Sequence, residues 1–491
     1  MKKFIITFIG LSILLISCED QLDINRDPDA ITPSQLALNV ELPSSITAVA
    51  GVQGAYWAII GGIWSQYWAQ SLSSSQYRVV DNYTLGTTDG ISTGGWNAAY
   101  DGLLDIRNVK ANALEQENWN YYLIATVLES YLSQMLTDWY GDIPYAEANN
   151  SDILQPNFNT GEEVYDLMIL DLDDALGRDL SDSQGSPPGS DDLIFDGDMS
   201  NWVKFANTLK LKIYLRQTEA RPAVASTGIT SMLSASFLDV DAALTGFTDA
   251  PNISNPLFES DKRQLNTTLN LRASTTMHSY LVVNGDDRIS LFYSTGISLD
   301  QGDYNNTGSP TLVAVSALYP ETPVYLISLE ESMFMQAEAM ERYNSGIGAK
   351  ALYDAAVVEN FNKWQALEAV VQVGGLSLEG SGFISTDDVY EYPNSGTFEE
   401  KLEAIITQKW IASYPGNGAE AFFEHNRTGF PRESSVTQQD EAYVSGQFAF
   451  SVNGVTGGIF PQRLLYPNTE TARNINASAV LPITTPIWWS N

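Results

Sequence analysis

Apolar residues recur at the 3.6-residue period of an α-helix in several long segments, and this pattern limits the fold more than any other feature of the chain. Between Tyr121 and Trp139, for example, Leu128, Leu132 and Met135 fall on one helical face. The same period appears in residues 201–216, 324–340, 348–364 and 402–410. Strand-like segments are scarce, and SYLVV (279–283) and TLVAV (311–315) are the best candidates.

Long irregular stretches separate the helical segments. They are rich in the turn-forming residues Gly, Asn, Asp and Pro, and they cover Ser181–Ser200, Thr245–Asn266, Asn284–Pro310 and Gln438–Asn491. Helix pairs spaced by about 35–40 residues indicate tetratricopeptide-like repeats, although no repeat is regular enough for its units to be counted. The sequence therefore predicts a mostly α-helical fold with tetratricopeptide-like helix pairs, long loop-rich excursions and a few short strands.

The amino terminus has the pattern of a lipoprotein signal peptide. Lys2 and Lys3 precede an apolar run from Phe4 to Ile16, which is shorter than the roughly 20 residues that a membrane-spanning helix needs. Residues 15–18, Leu-Ile-Ser-Cys, resemble the lipobox of bacterial lipoproteins, in which the cysteine is acylated. Cys18 is the only cysteine in the chain. We therefore predict lipidation at Cys18, and the alternative is a free cysteine behind an ordinary signal peptide.

The residues after Cys18 have the composition of a tether. Glu19, Asp20 and Asp23 resemble the acidic surface-export signal of outer-membrane lipoproteins, although a solvated acidic linker has the same composition. We predict a signal peptide over residues 1–17, a lipidated tether over 18–33 and one domain over 34–491. Within the domain we predict a helical part (34–250), a loop-rich insertion (251–324), a second helical part (325–431) and an irregular end (432–491).

Charge and cysteine content exclude several classes of protein. The formal net charge is −35, which argues against binding to nucleic acid and against a direct electrostatic attraction to anionic lipid. With one cysteine and two histidines, the chain cannot form paired-cysteine metal clusters, HExxH zinc sites or disulfides. We predict no metal and no cofactor.

Acidic clusters in two segments resemble catalytic groups, but structural roles explain them better. Asp138, Asp142 and Glu147 could supply the carboxylate pair of a glycosidase, although helix capping and turn geometry also place acids at such positions. Glu420 and Glu424 precede His425 near a predicted helix end. A charge-paired helix terminus is the preferred interpretation there, and we predict that the protein is not an enzyme.

Aromatic residues are better candidates for ligand contacts, since flat side chains cover sugar rings and extended peptides at low entropic cost. Trp57, Trp64 and Trp68 would share one helix face, which favours a core position over a binding stripe. Trp96 and Tyr100 likewise resemble a helix-packing pair.

Loop aromatics and their neighbours are the predicted ligand contacts. Polar, loop-like sequence surrounds the candidates, which are Tyr77, Arg78, Tyr83, Arg288, Tyr293 and Tyr304. The alternative for each is an ordinary turn or a half-buried side chain. Carboxylates and amides nearby could also bind Ca²⁺, namely Asp286, Asp287, Asp303 and Asn305, although a solvated loop is the preferred interpretation.

Five blocks in order, together with the lipobox, resemble one known family. The blocks are TDWYGDIPYAEA (137–148), WVKFANTLKLKIYLR (202–216), YLISLEESMFMQAEA (325–339), IITQKWIASYPGNGAEAFFEHNRTGFP (405–431) and RLLYPNTE (463–470). They resemble the SusD/RagB family of outer-membrane nutrient-binding lipoproteins, in its SusD-like branch. The resemblance implies a helical, tetratricopeptide-like scaffold. It also implies a lid on a SusC-like TonB-dependent transporter that captures oligosaccharides or peptides at the cell exterior.

Three functions are consistent with the residues. The first, which the resemblance favours, is non-catalytic capture of an oligosaccharide or oligopeptide for such a transporter. The second is a surface hydrolase of glycans or peptides, and the third is an adhesin that binds protein through helical repeats. The family's ligand sites lie outside the shared blocks, so no binding residue is assigned by the resemblance.

Replacement of Cys18 tests the predicted anchor. Cys18→Ala should abolish acylation and release the protein from the outer-membrane fraction, because no other segment is predicted to hold it there. Fractionation and mass spectrometry of the processed amino terminus measure both effects. Retention of the variant in the membrane, or processing that is insensitive to globomycin, would count against lipidation.

Overall fold

The computed structural model describes residues 37–265 and 269–490. The predicted signal peptide, Cys18 and the tether lie outside these residues.

The described chain is dominated by helices, as predicted. In chain order they are α1 (Leu38–Val52), α2 (Ala58–Trp64), α3 (Arg78–Asp81), α4 (Gly90–Glu115), α5 (Trp119–Tyr140), α6 (Gly161–Leu176), α7 (Met199–Arg216), α8 (Pro222–Met232), α9 (Pro256–Phe258), α10 (Thr275–Val283), α11 (Ile289–Phe292), α12 (Leu329–Tyr343), α13 (Ala349–Val371), α14 (Phe398–Ala412), α15 (Gly418–Thr428) and α16 (Asn468–Arg473).

Four short strands form two small antiparallel sheets. They are β1 (Trp68–Gln70), β2 (Ala242–Leu244), β3 (Leu271–Ala273) and β4 (Val324–Ile327). In one sheet β1 pairs with β3, with Trp68 opposite Ala273. In the other, β2 pairs with β4 and the register shifts between Ala242 and Ala243. Both sheets therefore join segments that are far apart in sequence.

Consecutive long helices pack against each other. Helix α4 contacts α5, α5 contacts α6, α7 contacts α8, and α12 contacts α13. Only three residues, 116–118, connect α4 to α5, and so short a connection places the two helices side by side. These contacts agree with the predicted helix pairs.

Local sequence signals mark several helix ends. Thr160 and Glu163 form a capping box at the start of α6, and Thr397 and Glu400 form another at the start of α14. Helix α5 ends at Gly141, whose φ of +86° is a conformation that glycine adopts without strain.

The predicted strands were placed wrongly. SYLVV lies in α10, which Ser274 begins by accepting a hydrogen bond from the Thr276 main-chain N–H. TLVAV contributes only isolated bridges at Val313 and Val315. A short run of β-branched residues fits a buried helix as well as a strand, so periodicity alone cannot distinguish them. Leu326 was expected on a helix and lies in β4.

The tryptophans near the amino terminus are buried, as predicted, but they do not share one helix. Helix α2 ends at Trp64, and Trp68 lies in β1. Trp57 is adjacent to α2, at the end of a π-helical turn. The core assignment is confirmed by the burial of all three rings.

One helical stretch, Leu38–Trp64, is long and apolar enough to span a membrane by length and composition. Of its most apolar window, 72% is buried inside the protein. Its apolar side chains include Leu42, Ile46 and Val49, which are fully buried. The stretch therefore forms part of the core.

A buried ionic network joins the two helical parts of the chain. Arg216 of α7 contacts Asp138 of α5 at 3.2 Å, and on the far side it contacts Glu420 at 2.6 Å and Glu424 at 2.5 Å in α15. Arg427 continues the network by contacting both carboxylate oxygens of Glu338 in α12 at 2.7 Å. All of these side chains are buried.

Burial and pairing act in opposite directions on these carboxyl groups. Burial alone would raise the pKa of Glu420, but Arg216, Lys212 and Lys409 outweigh it and hold the pKa well below its ordinary value. At Asp138 burial prevails over Arg216 and raises the pKa to about 6. Several cations therefore surround each glutamate named in the network. At Asp138 the effect of burial on the pKa is not offset by its cation.

Removal of the central cation should destabilise the fold. Arg216→Met leaves three buried carboxylates without their shared partner, which typically costs about 3–5 kcal/mol in the free energy of unfolding. Arg432→Met is the matched control, because Arg432 forms a two-point pair with Glu403 on the surface, and such pairs contribute about 0–1 kcal/mol. Urea denaturation measures both variants. Equal losses of stability would show that the buried network has no special role.

Candidate functional site

The six side chains predicted to contact ligand were expected to face outward, and the structure contradicts this for five of them. Tyr77, Tyr83, Arg288 and Tyr293 are each at most 4% exposed, and Tyr304 is 8% exposed. The expectation of exposed contacts is therefore wrong at these five positions.

Each buried tyrosine has a partner that is distant in sequence. The hydroxyl of Tyr77 donates to Asp261 at 3.3 Å, and that of Tyr293 donates to the main-chain oxygen of Tyr67 at 2.8 Å. The Tyr83 ring packs edge-on against Phe450, with centroids 5.4 Å apart. Polar neighbours in the sequence do not reveal such contacts, so the three residues resemble surface tyrosines until the fold is known.

Arg288 is also part of the core. Its guanidinium pairs with Asp286 at 2.5 Å, donates to Asn360 at 2.6 Å and lies 3.9 Å from the centroid of the Phe361 ring. Asp286 is thereby used in a buried ion pair. This removes it from the group of oxygen ligands that the sequence offered for Ca²⁺.

Arg78, the one candidate that is half-buried, contacts the buried Tyr304. The Arg78 guanidinium lies 4.8 Å from the centroid of the Tyr304 ring, within the range of a cation–π contact. Asn82, one helical turn after Arg78, donates its amide to the Tyr304 hydroxyl at 3.1 Å. Arg78 is half-buried, and Tyr304 is 8% exposed. The sequence named both residues as candidates but could not show that they touch, and their role in ligand binding stays a prediction.

Arg78 differs from the other half-buried arginines because it has no acidic partner among the described residues. Its Nε is closed off from solvent and makes no hydrogen bond. By contrast, Arg107 pairs with Glu129, and Arg263 pairs with Asp249. A partly buried guanidinium without such partners retains hydrogen-bond donors for a ligand.

Two asparagines from other loops complete the surface around Arg78. Asn305 donates to Asn453, 148 residues later in the chain, at 3.4 Å, and Asn453 donates to the main-chain oxygen of Gly302 at 2.7 Å. We call Arg78, Asn82, Tyr304, Asn305 and Asn453 the Arg78–Tyr304 platform. Asn82 follows Arg78 by four residues, so helical spacing could have indicated it. No sequence signal pairs Asn453 with this site.

A buried aspartate, Asp81, connects the two segments that carry Arg78 and Tyr304. Asp81 accepts hydrogen bonds from the main-chain N–H of Gln70 at 2.8 Å and from the amide of Gln301, three residues before Tyr304. Burial raises the pKa of Asp81 to about 7, although its hydrogen bonds from Gln70, Gln301 and Gly302 act in the opposite direction. Asp81 thus ties α3 to the loop that carries Tyr304.

Gly302 lets that loop pass close to the carboxy-terminal segment. Its φ is +77°, and a Cβ built there would lie 1.9 Å from the Ser451 hydroxyl. Both the conformation and the close approach require glycine.

Exposed aliphatic side chains border the platform. Val452 and Val455 flank Asn453, and their main-chain N–H groups donate to the oxygens of Gln301 and Asn82. Ile459 follows in the same loop, and all three side chains are exposed. We call Val452, Val455 and Ile459 the apolar rim. Exposed apolar clusters beside a polar site are typical of protein interaction surfaces.

The acidic clusters have the structural roles predicted for them. Asp142 accepts from the main-chain N–H of Gly161 at 3.1 Å, and Glu147 accepts from that of Asn157 at 2.8 Å. The Nδ1 atom of His425 lies 2.9 Å from the main-chain oxygen of Pro431. Its ring stacks on Phe448, so His425 does not form a dyad with Glu424.

A cavity of about 480 Å³ lies between β4, α13 and residues 412–417. Its walls are largely apolar, and the one cation in its lining is paired with two of the lining carboxylates. The Lys363 ammonium contacts Glu330 at 2.6 Å and Asp241 at 3.0 Å, and lies 4.1 Å from the Tyr325 ring centroid. Its one cation is thus already neutralised within the protein.

A comparison with protein families identifies the chain. The family model described as SusD-like, starch-binding and associating with the outer membrane matches residues 50–450. The chain belongs to the SusD-like family. The predicted resemblance to SusD/RagB proteins is confirmed. SusD-like membership also supports the broader predictions of glycan binding and outer-membrane association.

Solved structures of SusD homologues share the fold. A SusD/RagB family protein from Bacteroides thetaiotaomicron matches with a TM-score of 0.74 at 20% identity, covering 92% of this chain and 99% of that one. A chitin-binding protein matches with a TM-score of 0.70 at 23% identity, over 93% and 100% of the two chains. A chitin-binding SusD homologue from Flavobacterium johnsoniae matches with a TM-score of 0.68 at 21% identity, over 91% and 98%. No curated protein matches the chain. At these identities the similarity establishes the mostly α-helical SusD-like fold alone.

Proposed function

We propose that this SusD-like protein is a non-catalytic outer-membrane lipoprotein that captures a neutral oligosaccharide and delivers it to a SusC-like TonB-dependent transporter. The observation that carries the proposal is Arg78, a half-buried arginine held on a tyrosine ring, without an acidic partner in residues 37–265 and 269–490. The family description as starch-binding and the chitin-binding relatives support a glycan as the ligand.

The chemistry of the platform favours a sugar over a peptide. Arg78 supplies donors, while Asn82, Asn305 and Asn453 supply amides that both donate and accept. Sugar hydroxyls also donate and accept, so they match such a set. Tyr304 covers one face of the guanidinium and thereby limits its rotation before ligand arrives, which reduces the entropy lost on binding. The expectation that an oligopeptide is an alternative ligand stays open to the same binding test.

Delivery requires a partner, and the apolar rim is a suitable contact for one. The rim borders the platform, so a transporter docked on it would enclose a ligand bound to Arg78. A stable interface of this kind buries about 1,600 Å² or more. The proposed lipid anchor at Cys18 would keep the protein beside that transporter.

Replacement of Arg78 tests the binding site. Arg78→Met should weaken binding of maltohexaose or chitohexaose by about 5- to 150-fold, equivalent to roughly 1–3 kcal/mol, with little effect on the melting temperature. Arg473→Met is the control, because Arg473 is an exposed arginine of α16 outside the platform. Calorimetric titration measures the affinities. Unchanged binding in Arg78→Met, or no binding of either probe to the wild type, would contradict the proposed site.

A charge placed in the apolar rim tests the partner. Val455→Asp should reduce recovery of the transporter in detergent pull-downs from the native outer membrane by about tenfold or more, because a buried unpaired carboxylate weakens an interface strongly. Leu170→Asp in α6 is the matched control, since both side chains are 63% exposed. Equal recovery with both variants would show that the rim is not the docking surface.

A further inference from the structure

A second cavity, of about 420 Å³, lies outside the Arg78–Tyr304 platform. Its walls come from α14, from residues 389–393 and 444–447, and from Tyr280 of α10. No platform residue lines it. Its volume lies within the range of about 300–1,000 Å³ that is usual for small-molecule sites. We call it the Gln408 cavity.

Gln408 is the most informative residue of this cavity. It is 3% exposed, its side chain borders the cavity, and its amide makes no hydrogen bond with any residue in the described ranges. The Gln66 amide, by contrast, donates to the main-chain oxygen of Ala449 at 2.8 Å. The Gln408 amide is not closed off from the cavity, so its donors and acceptor remain available to a molecule that enters it. A ligand in the cavity can exchange hydrogen bonds with Gln408.

Further uncharged polar groups border the same space. The side chains of Tyr280, Thr407, Ser445 and Gln447 line the cavity, and none of them hydrogen-bonds to another described residue. With Gln408 they present three hydroxyls and two amides. Each of these groups can donate and accept, which matches the hydroxyls of a sugar.

The charged groups of the Gln408 cavity are already satisfied. Arg432 binds both oxygens of Glu403 at 2.7 Å. Glu391 accepts from the main-chain N–H of Asp387, and Glu400 from that of Thr397. Three carboxylates and one guanidinium leave the lining net negative, so an anionic ligand is disfavoured. The lining therefore favours an uncharged ligand.

Aromatic rings give one wall of the cavity a rigid shape. The rings of Tyr280 and Tyr390 stack with centroids 6.3 Å apart and planes 5° from parallel. Gly446 passes directly over Tyr280, since a Cβ there would lie 2.3 Å from the ring, and its φ is +91°. The hydroxyl of Tyr390 is fixed by donation to Asp286 at 2.8 Å. The wall is thus preorganised.

We propose that the Gln408 cavity is a second carbohydrate site, which binds one or two uncharged sugar units. The inference rests on the groups that line this cavity and does not require the platform to bind sugar. A second site would allow a longer or separate saccharide to be held at a point remote from Arg78.

Crystal soaks and titrations with maltose and with N,N′-diacetylchitobiose test the inference. The wild type should show a disaccharide in the Gln408 cavity. Gln408→Leu should lower the affinity of that site by about tenfold or more, and Tyr280→Phe should weaken it by a smaller factor. Gln184→Leu, at an exposed glutamine, is the control. Gln408→Leu should leave the melting temperature nearly unchanged, because the amide that it replaces makes no hydrogen bond to another described residue and the two side chains are of similar size.

The outcomes separate this inference from the proposed function. Loss of cavity binding in Gln408→Leu but not in Arg78→Met would support the second site, whether or not the platform binds. A cavity that holds only water at saturating probe concentrations would overturn it, as would wild-type binding by Gln408→Leu. In either case a platform that still binds maltohexaose or chitohexaose would leave the proposed function standing.

Discussion

The ionic network around Arg216 is the interaction on which the rest of the structure depends. It places cations of α7 and α15 among carboxylates of α5, α12 and α15, and so connects the amino-terminal helices to the carboxy-terminal ones. Taking these charges out of water is costly, and the cost is offset only when every member keeps its partners. A relative displacement of the two helical parts would leave several of them unpaired at once. The network therefore favours one arrangement of the helices over its alternatives.

The same network alters the surface of a chain that carries only 25 lysines and arginines against 60 acids. Arg216, Arg288 and Arg427 are fully buried, so they contribute nothing to surface recognition. The carboxylates that pair with them are buried as well, and the exposed charge stays predominantly acidic. Against that background, a half-buried arginine without an acidic partner is unusual. Arg78 is held on Tyr304 by a local contact, so its donors stay available to a ligand instead of joining an ion pair.

The helices could be predicted from the sequence because their signals are local. Apolar spacing predicted α5, α7 and α13. The direction of a loop side chain depends on contacts that no local pattern contains. Tyr77 is buried because Asp261, 184 residues away, accepts its hydrogen bond, and Arg288 is buried because Asn360 and Phe361 surround it. For the same reason the sequence named Arg78 and Tyr304 as candidates without showing their contact, and it did not indicate Asn453 or the Gln408 cavity.

Recognition by hydrogen bonds, and not by charge, is the common property of the two candidate sites. The platform offers three amides and one guanidinium, and the Gln408 cavity offers amides and hydroxyls beside one complete ion pair and two carboxylates that accept main-chain hydrogen bonds. Screening at physiological ionic strength limits the range of electrostatic effects to about 8 Å. The choice of ligand at each site therefore depends on the groups that line that site. An anionic ligand would find one free cation at the platform and none in the cavity, within an acidic protein. A neutral polyhydroxylated ligand can satisfy every free donor and acceptor at either site without bringing a charge out of water.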